Sequence, residues 1–200
     1  MHYSRIPLFS LLASVVLAGV AVAATTWQTV NVDSQPGLAI DLPAIIGDDY
    51  KPSSTSQQVL LDYGLTAEDE GALDCTLEQF FYTADVTREK MLARIADGST
   101  DIFCEENGAT IKGWAAVDSG KANVDGEPAG TCSSVYTDSS DKEPGHFETA
   151  LVVAGRTRAY LLSCQISDDD KEDADLDYDD HWKDEIGHMQ ESLHIPPSER

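Results

Sequence analysis

The stretch Phe147-Glu148-Thr149-Ala150-Leu151-Val152-Val153-Ala154-Gly155-Arg156-Thr157-Arg158-Ala159-Tyr160-Leu161-Leu162-Ser163-Cys164-Gln165-Ile166 decides the fold class. Two runs of β-forming residues, 147–154 and 158–166, flank a turn at Gly155, so the segment reads as a hairpin. Neither run alternates cleanly between apolar and polar. In the first, Leu151 and Val153 fall on one side of the strand while Ala150, Val152 and Ala154 fall on the other. A sheet solvated on one side does not carry apolar residues on both alternating sets. These are therefore central strands, covered above and below by helices or long loops. That points to an α/β or α+β sandwich and away from an immunoglobulin-type pair of sheets.

Towards the end of the chain, Trp182, Ile186, Met189 and Leu193 fall at offsets of four, seven and eleven within 180–193, one stripe of an amphipathic helix that Pro196-Pro197 closes. That helix is expected to pack on the sheet through Trp182. Upstream, Val86, Met91, Leu92 and Ile95 predict a helix over 87–97, with Asp85 or Thr87 as its N-cap and Gly98 as a left-handed stop. Further strands are expected at 27–32, 37–43, 58–63, 72–82, 110–117 and 130–137. Segments 58–63 and 72–82 can form a hairpin, and Asp125-Gly126 is a turn. No internal repeat is visible.

The chain has 200 residues, with Lys+Arg 13 against Asp+Glu 36 and a net charge of −23. Apolar content of 42% supports one ordinary core, so a single globular domain is expected over 24–200. The negative field repels phosphate backbones and anionic headgroups, which argues against nucleic-acid binding and adsorption to membrane surfaces. Asp outnumbers Glu and Lys is scarce, a bias that also keeps a protein hydrated in concentrated salt. Arg5, the uncharged apolar run from Ile6 to Ala18 and the small-x-small site Ala21-Val22-Ala23 have the form of a signal peptide over 1–23. The apolar run is too short for a comfortable bilayer span. The expected mature protein is exported, with no membrane insertion after cleavage.

Cys75, Cys104, Cys132 and Cys164 all lie in the mature part, at spacings of 29, 28 and 32 residues. An even number in an exported chain favours two disulfides, and the absence of a Cys-x-x-Cys pair removes the usual zinc and redox signatures. Three pairings are open. A simple meander of 131–137, 147–154 and 157–166 places Cys132 opposite Leu151 and Cys164 opposite Phe147, too far apart for a bridge. Shortest loops argue the reverse, pairing Cys75 with Cys104 and Cys132 with Cys164, so connectivity stays unassigned.

Residues 167–180 form an acidic loop with nine carboxylates and one Lys. Within it Asp173, Asp175, Asp177 and Asp179 have the one-three-five-seven spacing of a calcium loop and are the candidate ligands of a weak Ca²⁺ site. Tyr178 stands where the sharp turn requires Gly, and Asp184 where a bidentate Glu is usual. The competing reading is a solvated loop that gives the final helix a negative N-terminus. His181, Asp184 and His188 lie along one edge of that helix. The two histidines are two turns apart, about 10.5 Å of rise, too far to share one ion; Asp184 with His188, one turn apart, could hold a transition metal, but the group reads as a surface stripe. Arg156 and Arg158 form a basic hairpin end, suited to an anion or a partner if it is more than a charged turn. No nucleophile elbow, His-Glu-x-x-His or phosphate loop occurs, so no catalytic or cofactor-binding residue is assigned.

Several pieces in order resemble the PsbP-like fold superfamily, the extrinsic photosystem proteins and their small secreted bacterial relatives. They are a Gly37-to-Pro43 strand of the form x-Ile-x-Leu-Pro, a mid-chain helix, and a Gly126-Glu127-Pro128-Ala129 turn leading into a strand that ends at Tyr136. Two long apolar strands with Tyr160 in the second and a terminal Trp182-x-x-x-Ile186 helix reaching Ser192 complete the set. The resemblance spans most of 27–195. It implies an α+β fold, an antiparallel sheet flanked by helices on both faces, and a protein that binds or stabilises partners instead of catalysing. The four cysteines and the acidic insertion at 168–180 depart from the photosynthetic members, so neither a photosystem role nor any functional residue is carried over. The expected function is that of an exported, non-enzymatic binding or accessory protein of the periplasm or extracellular space. Its partner would be an envelope protein or a small ligand, and no cofactor is expected beyond weak Ca²⁺. A small secreted hydrolase using carboxylates and a calcium-responsive module at 168–180 are the alternatives. Purified exported protein is expected to begin at Ala24 on N-terminal sequencing; an intact leader would overturn the export reading.

Overall fold

Strand pairing sorts the two apolar sets of the 147–166 stretch onto opposite faces of one sheet. The computed structural model describes residues 26–44, 59–66, 72–98, 115–136, 146–167 and 182–200. Its strands are β1 (Trp27–Asn31), β2 (Ala39–Pro43), β3 (Val59–Thr66), β4 (Ala72–Phe81), β5 (Ala115–Val124), β6 (Glu127–Tyr136), β7 (His146–Ala154) and β8 (Arg158–Ser167). Two helices, α1 (Arg88–Asp97) between β4 and β5 and α2 (Lys183–Ser192) after β8, precede a 3-10 turn at Pro197–Glu199. Strands β3 to β8 form an antiparallel sheet in the order β3-β4-β8-β7-β6-β5, and β1 pairs with β2 in a separate ribbon.

On one face Leu151, Val153, Tyr160 and Leu162 join Leu73, Leu77, Ile40, Leu42 and the α2 stripe Trp182, Ile186, Met189 and Leu193 in the larger core. On the other, Ala150, Val152, Ala154, Ala159 and Leu161 pack on Met91 and Ile95 of α1. The terminal helix thus docks as its periodicity predicts, with the Trp182 ring buried. Helix α1 starts at Thr87, whose side chain accepts from the Lys90 N–H at 3.3 Å, and stops at Gly98 with φ 74°. The class is α+β on an antiparallel sheet. Strands dominate: among the described residues there are two ten-residue helices, α1 on one face and α2 on the other, where α2 shares its face with β2.

Three expectations are corrected. The strand expected at 110–117 runs on to Val124: β5 is Ala115–Val124, residues 110–114 lie outside those described, and it pairs with β6 through the two-residue turn Asp125-Gly126, both at positive φ. Residues 118–124 are polar and Gly-containing because β5 is an edge strand, with Val124 buried and Ala122 partly buried against the core. The β7–β8 register differs as well: Thr149 lies opposite Cys164 and Ala154 opposite Ala159, while Cys132 lies opposite Ala150. The turn at 155–158 is wider than a tight hairpin because it wraps a side chain from the far end of the chain. Finally, Cys75 is bonded to Cys164, its direct cross-strand partner on β4 and β8 with Cα atoms 4.1 Å apart, and not to Cys104 as shortest loops would have it. Cys132 is two strands from Cys164, about 9.6 Å, and is itself disulfide-bonded to a residue outside those described.

The side chain inside the 155–158 turn is Glu199. Its carboxylate accepts from the Thr157 N–H at 2.7 Å, from the Thr157 hydroxyl and from Arg158 Nε at 3.0 Å, and its carbonyl accepts from the Arg156 N–H. Arg158 also donates to Gln79 Oε1 at 2.8 Å and Gln35 Oε1 at 3.2 Å and lies over the Phe81 ring. It is therefore an internal clamp and not half of an exposed basic hairpin end; Arg156 is the exposed one. Gly155 is required here, since a Cβ would stand 2.8 Å from the Arg158 carbonyl oxygen, and its own carbonyl accepts from Tyr82 Oη and Arg88 Nε. Burial pushes the Glu199 carboxyl up, but the Thr157 hydrogen bonds and the Arg158 guanidinium outweigh it and hold the pKa below its ordinary value.

Replacing Trp182 by Ala is expected to cost about 3 kcal/mol or more in urea unfolding; a change near zero would mean that α2 does not depend on the ring. The depressed Glu199 pKa adds stability that is complete above the ordinary carboxyl pKa of 4.5 and lost as pH falls through the lower folded value. Glu199→Gln is therefore expected to be less stable than the native chain at pH 7, with the gap closing in the acid range where the native carboxyl is protonated. A gap independent of pH would contradict this.

Candidate functional site

A polar cavity of about 250 Å³ opens between α2 and strands β5, β6 and β7. On the helix side it is lined by Lys183, Ile186, Gly187 and Gln190, the i, i+3, i+4 and i+7 positions of one stripe. On the sheet side it is lined by Thr131 and Ser133 of β6 and Thr149 of β7, with Ser119 and Cys132 at its border. Ser133 lies directly opposite Thr149 in the ladder. The space exists because side chains shorten on both walls. Thr149 continues the strand face that Leu151 and Val153 fill with hydrocarbon elsewhere, and on α2 a Cβ built at Gly187 meets nothing within 4 Å.

The Thr149 hydroxyl is buried and has no hydrogen-bond partner in the protein, an unfavourable state for a polar group. None of the nine described lining residues is Asp, Glu or His. The wall offers hydroxyls, an amide and one ammonium, a set that holds and orients a polar molecule. Tyr160, the other residue with a buried unpartnered hydroxyl, is in the core with no exposure, and burial together with the Glu199 charge pushes its pKa up to about 12.

The sequence-derived candidates go elsewhere. Asp173, Asp175, Asp177 and Asp179, and with them the acidic loop and His181, lie outside the described residues, as do residues 1–23 and Cys104. His188 turns from Asp184 to the β1–β2 ribbon, stacking on Trp27 at 3.9 Å with Nε2 3.4 Å from Asp41. Ser192 completes a Ser-His-Asp group in space but not in chemistry. Its Oγ accepts from the Asp41 N–H and donates to the Met189 carbonyl, so it is tied to backbone. His194 Nδ1 meets Asp125 at 2.9 Å, beside Arg200. Among the described residues no group of three or more His, Cys, Asp or Glu is placed to hold a metal ion. Asp74 is the carboxyl whose pKa is raised, by burial and then by the Asp62 charge, and it does not line the cavity. The lining residues Thr131, Ser133, Thr149, Lys183, Gly187 and Gln190 were not singled out by sequence. The available signals were a Thr interrupting an apolar strand face and a Gly inside the amphipathic helix.

No protein-family model and no characterised protein matches the chain by sequence. By structure it is similar to cyanobacterial PsbP (CyanoP) of Synechocystis sp. PCC 6803, with a TM-score of 0.53 and 14% identity over 88% of this chain and 95% of that one. It is also similar to the Ran-binding protein Mog1p of Saccharomyces cerevisiae, with a TM-score of 0.51 and 11% identity over 86% and 96% of the two chains. LpqN of Mycobacterium tuberculosis, involved in cell envelope biogenesis, aligns over 87% of this chain and 92% of that one at 18% identity and a TM-score of 0.48. At these identities the likeness is one of architecture, and that architecture is the PsbP-like fold.

Proposed function

We propose that this is an exported, non-enzymatic accessory protein of the periplasm or extracellular space that works by binding, with the cavity beneath α2 as its binding site. The observation that carries the reading is the wall of that cavity: hydroxyls, an amide and an ammonium around a buried hydroxyl that lacks a partner, with no Asp, Glu or His among the described lining residues. The bridge between Cys75 and Cys164 supports an oxidising compartment, as does the signal-like start at 1–23. No helix among the described residues is long and apolar enough to cross a membrane. Mog1p, which has the same fold, is a Ran-binding protein, a precedent for binding on this architecture. The alternative of a secreted hydrolase using carboxylates finds less support here, since none of the described lining residues is Asp, Glu or His.

The test is an amide-resolved NMR titration of the mature chain with a mixed set of small acids, amides, sugars and amines. Shifts are expected to cluster at residues 131–133, 149 and 183–190. A set that moves none of these amides, or moves only amides elsewhere, would remove the cavity as the binding site.

A further inference from the structure

The chemistry of the wall also selects a ligand class. We propose that the cavity takes a small organic acid, its carboxylate meeting Lys183 and the hydroxyls of Thr131, Ser133 and Thr149; this deepens, and rests on, the binding reading above. Charge is the first argument. In a chain with 36 Asp and Glu against 13 Lys and Arg, the described residues that line the cavity include one ammonium and no acidic side chain. Helix α2 itself carries Asp184, Glu185 and Glu191, yet the stripe it turns to the cavity is Lys183, Ile186, Gly187 and Gln190. Lys183 is engaged within the protein, and because an ammonium carries three donors it can meet a carboxylate alongside such a contact.

Hydrogen-bond capacity is the second argument. The ammonium, the Gln190 amide and the hydroxyls all bring N–H or O–H donors, and none of the described lining side chains is an acceptor-only group. A carboxylate is acceptor-only, with about four lone-pair sites, and complements such a wall. The Thr149 hydroxyl, buried and without a partner in the wall of the cavity, gains an oxygen to donate to when its side chain turns toward a bound carboxylate. Size is the third. A cavity of roughly 150 Å³ admits benzene, so about 250 Å³ admits an acid of about ten non-hydrogen atoms, whose apolar body rests on Ile186, and excludes nucleotides and lipid chains. The overall field of −23 opposes any anion, but it acts from a surface screened over about 8 Å at physiological ionic strength, whereas the ammonium acts at contact.

The experiment titrates the mature chain with benzoate and succinate, and in parallel with their neutral counterparts benzamide and succinamide, reading amide shifts and Kd. Benzoate or succinate is expected to move the amides of 131–133, 149 and 183–190 and to bind at least tenfold tighter than its amide. Lys183→Met is expected to weaken the acid at least tenfold with the melting temperature unchanged. Thr149→Val, which keeps the shape and removes the unpaired hydroxyl, is expected to weaken the acid while the fold is as stable or more so, and Gly187→Leu to abolish binding by filling the space. If the amides bind at the same residues as tightly as the acids, or if Lys183→Met changes nothing, the acid proposal fails and the binding reading stands. If all four probes and the wider mixed set leave these residues unmoved, both fail.

Discussion

The ladder between β4 and β8 is the pairing on which the rest of this fold depends. The sheet consists of two local pieces, the β3–β4 hairpin and the β5–β8 meander, and β4 against β8 is where they meet. Each piece alone would expose half of the larger core. Joined, they align Leu73, Cys75 and Leu77 with Leu162, Cys164 and Ile166 in one buried surface on which the β1–β2 ribbon and α2 lie. Bringing strands so distant in sequence together carries a large loop-closure entropy. The Cys75–Cys164 bridge removes much of it from the unfolded chain: across a separation of 89 residues, chain-entropy reasoning puts the stabilisation at roughly 4.5 kcal/mol.

A second long-range constraint fixes the roof of the cavity. Helix α2 is held at its start by the buried Trp182 and along its length by Ile186 and Met189. The segment after it is gripped at two hairpin tips. Asp125, in the β5–β6 turn, takes the Ile195 N–H, His194 and Arg200, and the β7–β8 turn closes around Glu199. The Glu199–Arg158 pair is nearly out of solvent, where removing either partner leaves an uncompensated charge. Pairs of this kind specify geometry more than they add net stability, and here the geometry is the position of the last segment over the sheet. The separation between α2 and β6–β7 follows from it.

The cavity is thus a local exception in a well-filled sandwich. Where Leu151 and Val153 face the core, hydrocarbon meets hydrocarbon; two residues earlier on the same strand face, Thr149 meets space. A hydroxyl without a partner and a helical glycine with open volume beside it both cost stability. Such costs are expected where a site is held ready for an occupant, and they set this region apart from the His188–Asp41–Ser192 group, whose polar atoms are largely taken up by backbone and ring contacts.

The sequence by itself determined what depends on neighbours along the chain. Both helices with an N-cap at Asp85 or Thr87 and the Gly98 stop, the double-faced strands 147–154 and 158–166 and the burial of Trp182 follow from periods of 3.6 and 2 and from capping chemistry, which act within a few residues; the PsbP-like fold was legible as a resemblance carried by short motifs in order. Tertiary structure decided what depends on partners far along the chain. The Cys75–Cys164 pair, the β7–β8 register, the true extent of β5 and the inward turn of Arg158 each require knowing which strand or terminus lies alongside. The cavity was illegible for the same reason. Thr149, Ser133 and Gly187 are ordinary residues in their own strands and helix, and they become a site only when β6, β7 and α2 meet, because an empty volume is a property of facing surfaces and not of any one segment.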